Sequence, residues 1–159
     1  TSNFKLAPYK GLVILRFPNV TGKYQTHGVV YDLVRKLRQS GGESLEVLGN
    51  GHQSKPYCLA SELSGAMVGL LKRDESRIVE MNYGPTDTIS VRRIVEILLD
   101  EAGYPNAKVT YGSTVGGWPG DVPNYSFKAF EGLHSGLAPS KTSEATIVES
   151  IKWALNHLT

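Results

Sequence analysis

The sequence predicts an α/β fold, and three observations carry that prediction. Leu12-Val13-Ile14-Leu15 and the stretch from Ile78 to Asn82 are short apolar runs of the kind that form parallel strands. Segments with apolar residues at helical spacing alternate with such runs, as layered α/β structures require. With 159 residues and 40% apolar content, the chain is long enough to bury a real core as one unit spanning 1–159.

Taken in order, the run 12–17 reads as a strand covered on both faces. Val29, Val30, Leu33, Val34 and Leu37 then recur at helical spacing, and Gly41-Gly42 ends that helix. Arg35, Lys36 and Arg38 fall mostly on its solvated side. Leu45 to Leu48 is a strand, Gly49-Asn50-Gly51 reads as a hairpin turn, and an extended piece follows from Lys55 to Leu59. Pro56 makes that piece an edge or irregular strand.

A helix starting at Ala60 or Ser61 carries the stripe Leu63, Ala66, Met67, Leu70 and Leu71, and the strand 78–82 succeeds it. Ser90 is an N-cap for a helix bearing Val91, Ile94, Val95, Leu98 and Leu99, with Gly103 just past its end. Lys108 to Tyr111 is a further strand. The Gly- and Pro-rich stretch 112–123 is a long functional loop. A short helix near Phe127 to Leu133 and a last one from Ser143 to Leu158, with Ile147, Val148, Ile151, Leu155 and Leu158 inward, complete the chain.

Composition excludes several functions. The net charge of +2 is spread out, so no nucleic-acid footprint is expected. No apolar run is long enough to span a bilayer. The single cysteine, Cys58, forms no internal disulfide, and a reducing cytoplasm is the expected location. The histidines His27, His52, His134 and His157 lack paired ligand spacing, and no metal is expected. Gly49-x-Gly51-x-x-Ser54 imitates a dinucleotide fingerprint, but Lys55-Pro56-Tyr57 follows where a helix is needed. Tyr104 and Lys108 have the spacing of a dehydrogenase proton-transfer pair, but Gly103 and Pro105 argue against a helix through them. What remains is an arrangement: Asn19 after a strand, Lys55 and Tyr57 after a glycine turn, and Trp118-Pro119-Gly120-Asp121 in a long loop. Taken singly, these read as a turn residue, a solvated charge and a hydrophobic plug.

Read together, they resemble a known family. Ile14-Leu15-Arg16-Phe17-Pro18-Asn19-Val20-Thr21-Gly22 is similar to a strand and turn ending in an asparagine-containing "NVYG" segment. His27-Gly28-Val29-Val30, Leu48 to Lys55, Asn82-Tyr83-Gly84 before Ser90-Val91, Trp118 to Pro123, and Gly136-Leu137-Ala138-Pro139 follow in the same order. The family is the NAD-dependent epimerases and dehydratases of the extended short-chain dehydrogenase/reductase type, similar to UDP-glucose 4-epimerase.

The resemblance covers the C-terminal part of such enzymes. It implies the last Rossmann strands, 12–17 and 78–82, plus a subdomain that grips a nucleotide-diphosphate sugar, without the N-terminal dinucleotide-binding half. Asn19, Lys55, Tyr57 and Asp121 fall at substrate-binding positions, Asp121 suiting a ribose hydroxyl, and Phe17 and Pro18 at positions near the nicotinamide of NAD. Four departures stand out: Lys55 replaces an arginine that clamps the diphosphate, Pro56 replaces an acid, Gly116-Gly117 stands where a second arginine is usual, and Ser61-Glu62 stands where paired acids are usual. The implied function is nucleotide-sugar binding without turnover by this chain alone, NAD belonging to the parent family. The alternative is a non-catalytic sugar-nucleotide-binding or oligomerising module from a truncated gene. Either a homodimer or a complementary N-terminal half would cover the sheet edge.

Overall fold

Amphipathic spacing and local capping give the helices their positions. The computed structural model describes residues 11–72, 78–126, 128 and 138–158. Helix α1 spans Val29–Gln39 and buries Val30, Leu33, Val34 and Leu37, the stripe its spacing predicts. Helix α2 spans Ala60–Leu71. In helix α3, Val91–Ala102, the Ser90 hydroxyl accepts from the Arg93 N–H at 3.2 Å, and Gly103 ends the helix in the left-handed conformation. Helix α4 spans Ser143–His157, is capped by the Thr142 hydroxyl, and buries Ile147, Ile151 and Ala154. The Arg38 guanidinium donates to the Leu155 and Leu158 carbonyls, which the helix leaves without intrahelical partners.

Among the described residues the strands form four two-stranded pairs. Leu12–Arg16 (β1) lies parallel to Ile78–Asn82 (β6), and Asn19–Thr21 (β2) parallel to Tyr57–Leu59 (β5). Ser44–Val47 (β3) lies parallel to Lys108–Tyr111 (β8), while Ser54–Lys55 (β4) runs antiparallel to Ile89–Ser90 (β7). Pro56 has no N–H to give a ladder, and it separates β4 from β5.

Three expectations change. The Gly49-Asn50-Gly51 turn is not a hairpin: β3 pairs with β8 and β4 with β7, so the turn carries the chain between two sheets. The β1 strand is not covered on both faces: none of its residues is fully buried, and Ile14, like Ile78 on its ladder partner β6, stays exposed, at 37% and 51%. On α2, Leu63, Ala66 and Leu70 are buried, but Met67 and Leu71 face outward, with no element among the described residues packed over them. All of the predicted helix near Phe127 to Leu133 except Lys128, and Gly136 and Leu137 of the Gly136-Leu137-Ala138-Pro139 segment, lie outside the described residues.

One core joins α1, α3 and α4 to β3, Tyr57 and Ile89. A smaller cluster gathers Cys58, Leu63, Ala66 and Tyr83, with Leu15 against it. No helix among the described residues is long and apolar enough to cross a membrane.

Candidate functional site

The residues singled out by the sequence meet around one cavity of about 630 Å³. Its walls come from separate places in the chain. Phe17 and Pro18 bridge β1 and β2, and Asn19 opens β2 in register with Tyr57 of β5. Lys55 ends β4. Trp118 and Asp121 belong to the loop after β8, and Gly28, Val29 and Val30 bring the start of α1 to the cavity.

The loop is held in place by backbone bonds. The Asn50 N–H donates to the Thr114 carbonyl at 2.8 Å, and the Ser54 N–H to the Pro123 carbonyl at 2.8 Å. Gly49 makes the close approach possible: its φ of 74° suits glycine, and a Cβ there would come within 2.6 Å of the Gly116 carbonyl. The conformational freedom that looked like a fingerprint thus serves to seat the loop. The turn continues into β4 and no helix follows, so it does not make a dinucleotide-phosphate cradle. Tyr104 lies beyond the end of α3 and Lys108 begins β8, so the two do not share a helix face as a proton-transfer pair must. Phe17 and Pro18 line the cavity.

At the inner end of the cavity the Lys55 ammonium donates to Asp121 Oδ1, and the Gly117 N–H donates to Asp121 Oδ2 at 2.9 Å. The side chains are 11% and 2% exposed. Burial pushes the Asp121 carboxyl up, but the Lys55 hydrogen bond, the Gly117 and Val122 N–H groups and the charge of Lys55 outweigh it and hold it below the ordinary carboxylate range. The same ammonium sits 4.9 Å from the centre of the exposed Trp118 ring, a cation–π contact. Burial, with Tyr125 and the Asp121 charge adding to it, raises the Tyr57 phenol far above its usual range. Tyr57 therefore offers a neutral hydroxyl.

Helix α1 reaches the cavity with no side chain capping its N-terminus, since Gly28 occupies the N-cap. Its first N–H groups and the positive end of the helix favour negative charge nearby. Two further residues were not legible as site residues. Gln53 is buried, its Nε2 donates to the Leu48 carbonyl at 3.2 Å, and its Oε1 has no partner among the described residues. Gln25 accepts from the Thr21 hydroxyl at 2.7 Å and leaves its buried Nε2 without one. Both line the cavity and hold hydrogen-bonding capacity for a guest. A glutamine follows no spacing rule, so only the three-dimensional arrangement shows its place.

The β5 end is braced from α4. The Tyr57 N–H donates to the Ser143 hydroxyl at 3.1 Å, and the Ser143 N–H donates to the Asp87 carboxylate at 2.9 Å. Among the described residues no three His, Cys, Asp or Glu side chains gather as a metal site.

No protein-family model matches the chain, and no curated protein sequence does. Solved structures do. A UDP-galactose 4-epimerase matches over 92% of this chain and 46% of its own, with a TM-score of 0.75 and 23% identity. A UDP-glucose 4-epimerase from Thermotoga maritima, solved with UDP-glucose, matches over 92% and 47%, with a TM-score of 0.70 and 22% identity. A dTDP-glucose 4,6-dehydratase from Bacillus anthracis, in complex with NAD, matches over 92% and 45%, with a TM-score of 0.71 and 18% identity. The chain has the fold of the C-terminal half of extended short-chain dehydrogenase/reductase epimerases and dehydratases, and it spans about half the length of the structures it matches.

Proposed function

We propose, from the fold of the C-terminal half of nucleotide-sugar epimerases and dehydratases, that this chain is the nucleotide-sugar-binding half of such an NAD-dependent enzyme. The observation that carries the reading is the convergence of Asn19, Lys55, Tyr57, Trp118 and Asp121 on one cavity beside an uncapped helix N-terminus. Lys55 and the start of α1 favour the diphosphate. Asn19, with Gln25 and Gln53, supplies amides for sugar and base hydroxyls and carbonyls. Tyr57 gives a neutral hydroxyl, Asp121 an acceptor for a ribose hydroxyl, and Phe17 and Pro18 the wall toward the nicotinamide.

In this reading the chain contributes placement: holding a sugar nucleotide in one orientation removes much of the entropic barrier to a reaction whose chemistry belongs to the cofactor. A reducing cytoplasm suits the unpaired Cys58. Calorimetric titration of the 159-residue chain with UDP-glucose and dTDP-glucose tests it. Saturable binding is expected, weakened by roughly tenfold or more in Lys55→Met, the scale of one lost charge-assisted hydrogen bond. Binding of neither nucleotide sugar would overturn the reading.

A second reading has its own support. The arginine expected near Gly116-Gly117 is absent, and α2 presents Met67, Val68 and Leu71 to the outside, which favours a non-catalytic binding or oligomerising module. Mixing the chain with the N-terminal half of a family enzyme separates the two. Recovered turnover supports the enzyme half, while association without turnover supports the module.

A further inference from the structure

Lys55 contributes the ammonium charge in the cavity wall, and it is already spent. Its partner, the Asp121 carboxylate, is bound as a guest anion would be: one oxygen takes the Lys55 ammonium, the other the Gly117 N–H at 2.9 Å, and the Trp118 ring covers the ammonium. The carboxylate is almost wholly enclosed, so water does little to loosen the pair. We propose that Asp121 is a built-in occupant of an anion cradle formed by Lys55 and the Gly117 N–H, and that a ligand phosphoryl group binds there by displacing it. Asp121 is then a specificity-determining latch. It excludes weak anions and neutral ligands from the charge of Lys55, and it admits a ligand whose phosphate outcompetes a carboxylate for the same two donors. Once displaced, the carboxylate is free for a hydroxyl of the same ligand. The step is an exchange of hydrogen bonds, with no bond made or broken covalently.

This inference rests on the nucleotide-sugar reading only for the identity of the natural ligand, and its test uses a probe without sugar or base. Pyrophosphate is titrated into the wild-type chain, Asp121→Asn, and the double variant Asp121→Asn with Lys55→Gln, each checked for folding by circular dichroism. Asparagine keeps the shape and an acceptor for the Gly117 N–H but not the charge. Asp121→Asn is expected to bind pyrophosphate roughly tenfold tighter than wild type, as loss of a charged competitor allows, and the double variant to lose that gain. Equal or weaker binding by Asp121→Asn overturns the latch. Should Asp121→Asn not fold, the wild-type cavity still decides. In a Trp153→Phe background, pyrophosphate must change Trp118 emission as the ammonium leaves its ring, and calorimetric binding without that change overturns the proposal. The failures separate: UDP-glucose binding to wild type with no pyrophosphate gain sinks the latch alone, and the gain without any UDP-glucose binding sinks the nucleotide-sugar reading alone.

Discussion

Around α1, α3 and α4 the apolar side chains Val34, Ile94, Leu98, Ile147 and Ile151 are fully enclosed, whereas around β1, β6 and α2 the same residue types, Ile14, Ile78, Val68 and Leu71, stand open. The apolar residue types are alike in the two regions, and neighbours make the difference. Three helices close over β3 and its surroundings, each giving a stripe to a shared core. The β1–β6 pair is parallel and two-stranded, an arrangement that ordinarily sits inside a larger sheet with both faces covered. Its own cluster is four buried residues with Leu15 against them. The cavity lies where the two regions meet, lined by Phe17 and Pro18 from one side and by α1 and Val91 from the other.

Truncating one isoleucine in each region should separate the two most strongly. Ile151→Ala removes a fully buried side chain from α4 and is expected to destabilise by about 2–5 kcal/mol, transfer and cavity costs together. Ile78→Ala, at a half-exposed strand position, is expected to cost under about 1 kcal/mol. Urea unfolding followed by circular dichroism measures both. Equal losses would mean that β1 and β6 are covered in solution.

Alkali sharpens the contrast because the smaller cluster holds two titratable groups. Burial first, then the Glu62 charge, pushes the Cys58 thiol up to about 11 and the Tyr83 phenol up to about 12. Unfolded, they release their protons near 9.0 and 10.0. Over that window the folded chain holds more protons than the unfolded one, so stability is complete below pH 9 and falls as pH rises through the folded values. The loss is on the order of 2–3 kcal/mol for each group. Hydrogen exchange read by mass spectrometry at rising pH should show β5, β6 and α2 opening before α3 and α4, and Cys58→Ser with Tyr83→Phe should flatten the dependence. Uniform opening of all helices would count against two regions of unequal stability.

What the sequence revealed divides along the same line. Helices α1, α3 and α4 were legible because spacing and caps are local: Ser90, Gly103 and the Leu33-to-Leu37 stripe lie within a few residues of what they determine. Pairing is not local. The hairpin at Gly49-Asn50-Gly51 failed because β3 finds its partner at Lys108–Tyr111, and no feature of the turn encodes a strand that far along. In the candidate site, Asn19, Lys55, Tyr57 and Asp121, which share one cavity, were each singled out through the family resemblance. The bond between Lys55 and Asp121, 66 positions apart, was not, nor were Gln25 and Gln53, whose significance rests on amide atoms without partners among the described residues.

The smallest expected change in stability carries the most information about the open region. Leu71 ends α2 and is 83% exposed, so it gives nothing to the core and its replacement removes little burial. Leu71→Ser is accordingly expected to shift the free energy of unfolding by less than about 0.5 kcal/mol. A residue so indifferent to the fold isolates its other property, that Met67, Val68 and Leu71 together place apolar surface on one exposed helix. Sedimentation equilibrium of wild type and Leu71→Ser across micromolar concentrations reads that property directly. Wild-type self-association that the serine weakens, with the unfolding curve unmoved, assigns the α2 surface to contact between chains. Identical monomeric behaviour of both would leave α2 without a partner of its own kind, and the difference between the two regions would then be one of packing alone.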